Sequence, residues 1–119
     1  MRERPTLDAS LTTAGWVLFS DGDPMHIQES DLHSHLRARM AQRGVTLDEI
    51  QRTLDNGWRA NDAREGTLGK VFVFNYRKEW EGQVYEEKEV SVYYRLRDGH
   101  PIFLTVKARY GKLFPRSEV

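Results

Sequence analysis

The hydrophobic pattern of this chain changes its period once, and that change limits the fold more than any other sequence feature. Between residues 32 and 54 apolar residues recur at about every fourth position, the spacing of one face of an α-helix. Between residues 90 and 109 they alternate with polar residues, as in strands that bury one face. Helices followed by antiparallel strands are typical of the α+β class. We therefore expect two N-terminal helices packed on a small, mostly antiparallel sheet.

The two helices have recognisable ends. The first is predicted to begin near Ser30, whose hydroxyl can cap the free N–H groups of a first turn, and to end at Gly44. The second begins with a capping box at residues 46–49, in which Thr46 and Glu49 can satisfy each other's backbone N–H groups. The Asn56-Gly57 pair is expected to end it.

The clearest hairpin joins Val90–Arg97 to Ile102–Arg109 through a turn at residues 98–101. We also expect a strand from Val71 to Tyr76 and an acidic hairpin end around Gly82. The even-numbered face of the terminal hairpin is predicted to be core and the odd-numbered face a basic surface with aromatic residues. The even face carries Val90, Val92, Tyr94, Leu96, Ile102, Leu104, Val106 and Ala108. The odd face carries Tyr93, Arg95, Arg97, Phe103, Thr105, Lys107 and Arg109.

Composition limits the function. A length of 119 residues suits one domain with one core, here with a flexible arm at residues 1–14 and an extra strand or hairpin between Trp16 and Ile27. The absence of cysteine excludes disulfides, thiolate zinc sites and cysteine nucleophiles. No apolar run has the length of a signal peptide or a membrane span, so we expect a cytoplasmic protein without membrane contact.

Three residues of the first helix form the main candidate for a catalytic site. His35, Arg39 and Arg43 are four residues apart and therefore share one helix face. Guanidinium groups match the geometry of phosphate, and imidazole can move a proton near neutral pH, so these types suit phosphodiester cleavage. A solvated helix face, with an arginine paired to an acid elsewhere, explains the same pattern. Both interpretations stay open at this point.

The odd face of the terminal hairpin is the second candidate, because cations beside aromatic rings are typical of surfaces that hold single-stranded RNA. The ordinary polar outside of a half-buried sheet is the alternative. The residues expected to contact RNA are Arg95, Arg97, Lys107, Arg109 and Lys112. Tyr110, just after the last strand, is a candidate acid or base. The four histidines lack the spacing of a metal site, and we expect neither a metal nor a cofactor.

The segment from His35 to Thr46, continuing to Glu49-Ile50, resembles the signature of a bacterial family of domains of unknown function, number 4258. That signature reads His-Ala-x-x-Arg-Met-x-x-Arg-Gly-Ile-Ser/Thr-x-x-Glu-Ile, and the resemblance extends over residues 25–110. The family is regarded as part of the RelE-like group, close to the BrnT toxins, which cut RNA without metal and are neutralised by an antitoxin. The chain differs from it in Leu36, where alanine is usual, and in an acidic insertion around residues 79–89. It also differs in its net charge of zero, since RelE-like toxins are generally strongly basic.

The resemblance implies a metal-independent endoribonuclease of a toxin-antitoxin system, with His35, Arg39 and Arg43 at its site. The expected partners are then RNA or the ribosome and an antitoxin protein. The alternative is a non-catalytic RelE-like binding module, which either holds a protein or forms a homodimer.

Overall fold

The computed structural model describes residues 25–117 and shows two helices packed on one antiparallel sheet, which confirms the predicted α+β fold. A 3₁₀ turn at Glu29–Asp31 precedes the first helix. The elements are α1 (Ser34–Arg43), α2 (Leu47–Asn56), β1 (Trp58–Arg59), β2 (Leu68–Trp80), β3 (Gln83–Arg97) and β4 (His100–Gly111). The strands lie side by side in chain order. The predicted arm at residues 1–14 lies outside the described residues, as does most of the predicted N-terminal hairpin.

The first helix begins later than predicted. Ser30 lies in the 3₁₀ turn, and the residue that caps α1 is His33, whose Nδ1 accepts a hydrogen bond from the Leu36 N–H. The extra turn exists because the Asp31 carboxylate accepts from the backbone N–H of Gln28 and closes the preceding segment on itself. The predicted end at Gly44 is confirmed, since this residue has the left-handed φ of 69°.

The second helix follows the prediction closely. The Thr46 hydroxyl accepts from the Glu49 N–H, and the Glu49 carboxylate accepts from the Thr46 N–H, so the capping box is present. Gly57 donates its N–H to Thr53 and ends the helix. The inward face of α2 buries Ile50 and Leu54 against β2 and β3. The full core cluster comprises Ile27, Leu32, Leu36, Val45, Ile50, Leu54, Val90, Val92, Tyr94, Phe103 and Val106.

A β-bulge corrects the predicted face of β4. Tyr93 pairs with Thr105 but Tyr94 pairs with Phe103, so Leu104 is an extra residue in β4. The bulge reverses the alternation on its N-terminal side, which buries Phe103 in the core and removes Leu104 from it. Leu96 was also predicted to be core and is 51% exposed, since it lies beyond Tyr94, the last β3 residue of the core cluster.

A buried lysine joins the helices to the sheet. Lys88 of β3 is only 1% exposed, and its Nζ donates to the Gly44 carbonyl and lies 2.8 Å from the Glu49 carboxylate. The same ammonium lies over the rings of Tyr76 and Tyr110, at 5.2 and 5.3 Å from their centroids. The cation therefore fixes the turn between α1 and α2 against the middle of the sheet.

Among the described residues, no helix is long and apolar enough to cross a bilayer.

We expect Lys88→Met to lower the free energy of unfolding by about 3–5 kcal/mol, because it leaves the Glu49 carboxylate without its buried partner. Urea denaturation followed by circular dichroism measures the change. The matched control is Arg52→Gln, which removes an exposed ion pair with Asp48 and should cost about 1 kcal/mol or less. Adding Glu49→Gln to Lys88→Met should recover part of the loss, since glutamine still serves the capping box. Equal losses for Lys88→Met and Arg52→Gln would contradict this role.

Candidate functional site

A pocket of about 640 Å³ opens on the odd-numbered face of β3 and β4, between α1 and the loop that joins β1 to β2. We call it the basic pocket. Helix α1 and its N-cap contribute four lining residues, His33, His35, Arg39 and Arg43. The loop contributes Asp62, Arg64 and Thr67. The sheet contributes Tyr93, Leu104, Thr105 and Lys107. The predicted helix row and the middle of the predicted basic face therefore meet in a single concave site.

The helix row reaches the sheet because α1 packs beside β4, the edge strand. Arg43 donates from Nη1 to the Val106 carbonyl at 2.7 Å. The His33 ring lies 2.9 Å from the Phe103 carbonyl at its Nε2. Both contacts use carbonyl groups of β4, so the edge of the sheet and the helix hold each other in register.

Positive charge dominates the lining. Arg39, Arg43, Arg64 and Lys107 oppose one carboxylate, that of Asp62. Within residues 25–117 none of the three arginines pairs with a carboxylate: Arg39 donates to the Gln42 side chain, and Arg43 to a backbone carbonyl. Among the described residues, the predicted pairing of Arg39 or Arg43 with an acid is not found. Unneutralised guanidinium groups in a concave site attract anions.

The two histidines of the pocket differ in what they can do. The Nδ1 of His33 accepts from the Leu36 N–H, and its Nε2 faces a carbonyl that can only accept. The Nε2 must therefore carry the proton, which fixes one neutral tautomer and gives His33 a structural role. His35 is exposed, its ring lies parallel to that of His33 at 6.3 Å, and its nitrogens make no hydrogen bond to the described residues. His35 is thus the imidazole that is available to a ligand.

The loop is fastened to the floor of the pocket by Asp62. Its Oδ1 accepts from the Tyr93 hydroxyl at 2.8 Å, and its Oδ2 lies 3.2 Å from the Lys107 ammonium. The Tyr93 hydrogen bond lowers the pKa of Asp62, with a smaller lowering by Lys107. Burial of Tyr93, together with its bond to Asp62, raises the pKa of that phenol to about 12. Tyr93 is therefore a neutral donor at physiological pH and is unsuited to act as a base.

Tyr110, the predicted acid or base, lies away from the basic pocket. Its ring stacks on Trp80 at 5.1 Å on the even-numbered side of the sheet, and its hydroxyl donates to the Arg43 carbonyl. Burial raises the pKa of this phenol. Tyr110 therefore packs against the end of α1 on the even-numbered side of β4, whereas the pocket opens on the odd-numbered side.

Of the residues predicted to contact RNA, the structure brings Lys107 into the pocket and leaves four outside it. Arg109 lies on the same face but pairs with Glu89 at 2.8 Å and covers the Phe114 ring. Lys112 is exposed just after β4. Arg95 and Arg97 are exposed near the turn between β3 and β4, so the pocket lies between them and Arg109 along the sheet.

Sequence reasoning missed five residues of the site. Asp62, Arg64 and Thr67 belong to the loop between β1 and β2, for which no site was predicted. His33 was considered only as a metal ligand, and Leu104 was predicted to be core. No local motif marks the loop, because its position over Tyr93 depends on a contact between residues 31 apart in the chain. The N-cap role of His33 was hidden by Ser30, a stronger N-cap residue.

No group of three or more metal-ligating side chains occurs among residues 25–117. No protein-family model, no curated protein and no solved structure matches this chain.

We expect the contribution of Tyr93 to stability to be lost in alkaline solution. Its pKa is about 12 in the folded protein and near 10 in an unfolded chain, so the contribution is complete below pH 10 and disappears as the pH rises to 12. The free energy of unfolding of wild type relative to Tyr93→Phe should fall by on the order of 2 kcal/mol over that interval. Denaturant titrations at several pH values measure it. A difference that stays constant from pH 9 to pH 12 would contradict the raised pKa that burial, with the bond to Asp62, gives the Tyr93 hydroxyl.

Proposed function

We propose that the basic pocket binds a phosphodiester group of RNA and that the protein is a metal-independent endoribonuclease. The observation that carries the proposal is the convergence of His35, Arg39 and Arg43 of α1 with Lys107 of β4 around one cavity. If the basic residues of the helix and of the sheet lay on opposite sides of the domain, they could not bind the same phosphate. The signature that the α1 segment resembles places the same residues, His35, Arg39 and Arg43, at its site, although no family model matches the chain.

The cations supply binding and charge stabilisation. Arg39 and Arg43 lie one helical turn apart on the wall, and Lys107, whose ammonium also pairs with Asp62 at 3.2 Å, lies on the floor. A phosphate between them meets donors from two directions. Cleavage of RNA concentrates negative charge on the phosphorus oxygens as the ribose 2′-oxygen attacks. Donors fixed by the fold before the reaction stabilise that charge more than the ground state, which is how they accelerate it.

His35 is the group that moves the proton. In the reaction its imidazole removes the proton of the ribose 2′-hydroxyl, and the 2′-oxygen forms a bond to phosphorus. The bond between phosphorus and the 5′-oxygen breaks, and that oxygen takes a proton from a solvent water. The hydroxide that remains takes the proton from the His35 imidazolium, which restores the neutral imidazole. The products are a 2′,3′-cyclic phosphate and a free 5′-hydroxyl.

A second candidate function is RNA binding without cleavage. It is favoured by the tautomer of His33, because both nitrogens of that ring are used by the fold and His35 remains the one available imidazole of the pocket. A site with a single proton-transfer group holds a phosphate well but cleaves it slowly. In either case the partner is RNA, free or on the ribosome. A toxin of this kind would act in the cytoplasm and have an antitoxin protein.

We expect purified protein to cleave a labelled single-stranded RNA in the presence of EDTA, and His35→Ala to reduce the rate by about 10²–10⁴-fold. Arg39→Ala should reduce it by about a hundredfold, since it removes one donor to the developing charge. Denaturing gel electrophoresis measures cleavage, and circular dichroism checks that each variant stays folded. The matched control is His100→Ala, an exposed histidine at the hairpin turn outside the pocket.

The outcomes separate the two candidates. RNA that binds but stays intact, with binding lost in Arg39→Ala, supports the binding function and contradicts the nuclease. Equal cleavage by wild type and by both pocket variants would place the activity elsewhere or in a contaminant, and would also contradict the proposal.

A further inference from the structure

The odd-numbered face of the sheet has two ends, and they differ in what covers them. At one end the C-terminal segment folds back over the strands. Its Phe114 N–H donates to Glu87, and Arg116 donates to the Val73 carbonyl and pairs with Glu87 at 2.6 Å. Arg109 is neutralised there by Glu89. At this end Arg109 and Arg116 are therefore each neutralised by a glutamate, and the C-terminal segment covers part of the strands.

The other end carries two cations that the proposed site does not use. Arg95 and Arg97 are exposed, and neither forms a hydrogen bond or an ion pair within the described residues. The extra residue of the bulge belongs to β4, so β3 keeps its alternation and both arginines project on the same face as Tyr93. The segment from Tyr93 to Lys107 contains one carboxylate, that of Asp98 in the turn.

Strand geometry makes the two arginines continuous with the basic pocket. Tyr93 forms part of its floor, and a strand rises by about 3.3 Å per residue. The Cα atom of Arg95 therefore lies roughly 7 Å from that of Tyr93, and the Cα atom of Arg97 roughly 13 Å from it. Between them and the pocket lies Leu104, which the bulge turns out of the core and into the lining. A flexible strand leaving the pocket in this direction passes an apolar side chain and then two cations.

We infer that Arg95 and Arg97 form a second phosphate-binding subsite, which holds the backbone of a single-stranded RNA that extends from the basic pocket towards the turn between β3 and β4. This inference rests on the proposed function and adds the substrate class to it: a single strand of several nucleotides rather than a dinucleotide or a mononucleotide. A duplex is disfavoured because the pocket lies between a helix and a loop and admits a strand whose phosphate can enter it.

The test compares short and long RNA that cannot be cleaved. Oligouridylates of two and eight nucleotides with 2′-O-methyl groups lack the attacking hydroxyl, and a fluorescein label reports binding by anisotropy. We expect wild type to bind the octamer at least about tenfold more tightly than the dimer. Arg95→Gln/Arg97→Gln should lose most of that gain, leave dimer binding within about twofold, and lower the salt dependence of octamer binding by about 1.4 in log–log slope.

Two further variants make the result specific. Arg109→Gln lies on the same face but starts from a neutralised arginine, so its octamer affinity should match that of wild type. Arg39→Gln should weaken the dimer and the octamer alike. The second subsite is contradicted if the octamer still binds more tightly than the dimer in Arg95→Gln/Arg97→Gln. It is also contradicted if wild type binds the dimer and the octamer equally tightly. In both cases phosphate binding in the basic pocket is unaffected. If wild type binds neither oligonucleotide, the proposed function itself is wrong.

Discussion

The ammonium of Lys88 is the interaction on which the rest of the structure depends. It sits in the middle of the sheet, where water cannot solvate it, and is stabilised instead by a carbonyl, a carboxylate and two aromatic rings. The carbonyl belongs to Gly44 at the end of α1, and the carboxylate to Glu49 in the first turn of α2. One buried charge therefore sets where both helices lie. A cation in such surroundings is costly to desolvate, so the arrangement is stable only while all its partners are in place.

Gly44, at the end of α1, lies in close contact with aromatic side chains of the sheet. Its φ of 69° suits glycine, and a Cβ at this position would lie 2.4 Å from the Trp80 ring, which itself stacks on Tyr110. The end of α1 can approach the sheet only because no side chain intervenes. That close approach brings the Arg43 carbonyl to the Tyr110 hydroxyl and the Arg43 guanidinium to the Val106 carbonyl at the free edge of β4, beside the pocket. The packing on the even face thus positions a side chain of the pocket on the odd face.

Sequence reasoning predicted the parts of this protein that depend on local signals. The capping box at residues 46–49, the glycine that ends α1 and the terminal hairpin are each specified within a few residues, and each is confirmed. It was wrong where the structure depends on contacts between residues that are far apart in the chain. The bulge at Leu104 has no composition signal, and it moved Phe103 into the core. The His35–Arg39–Arg43 row could be found from spacing alone, whereas Asp62 could not, because its partners Tyr93 and Lys107 are far from it in the chain.

The long strand β3 also gives this electrically neutral chain a direction. Its 15 residues span roughly 45 Å. Around its first residues the exposed acids Glu79, Glu81 and Glu86 lie beside the exposed cations Arg77 and Lys78, so the two signs nearly cancel at this end. At its last residues the exposed Arg95 and Arg97 outnumber the one carboxylate of the turn, that of Asp98. The field of a cluster of mixed charges falls off faster with distance than that of an uncompensated charge, so the end with the arginines dominates the potential that an approaching ion meets first.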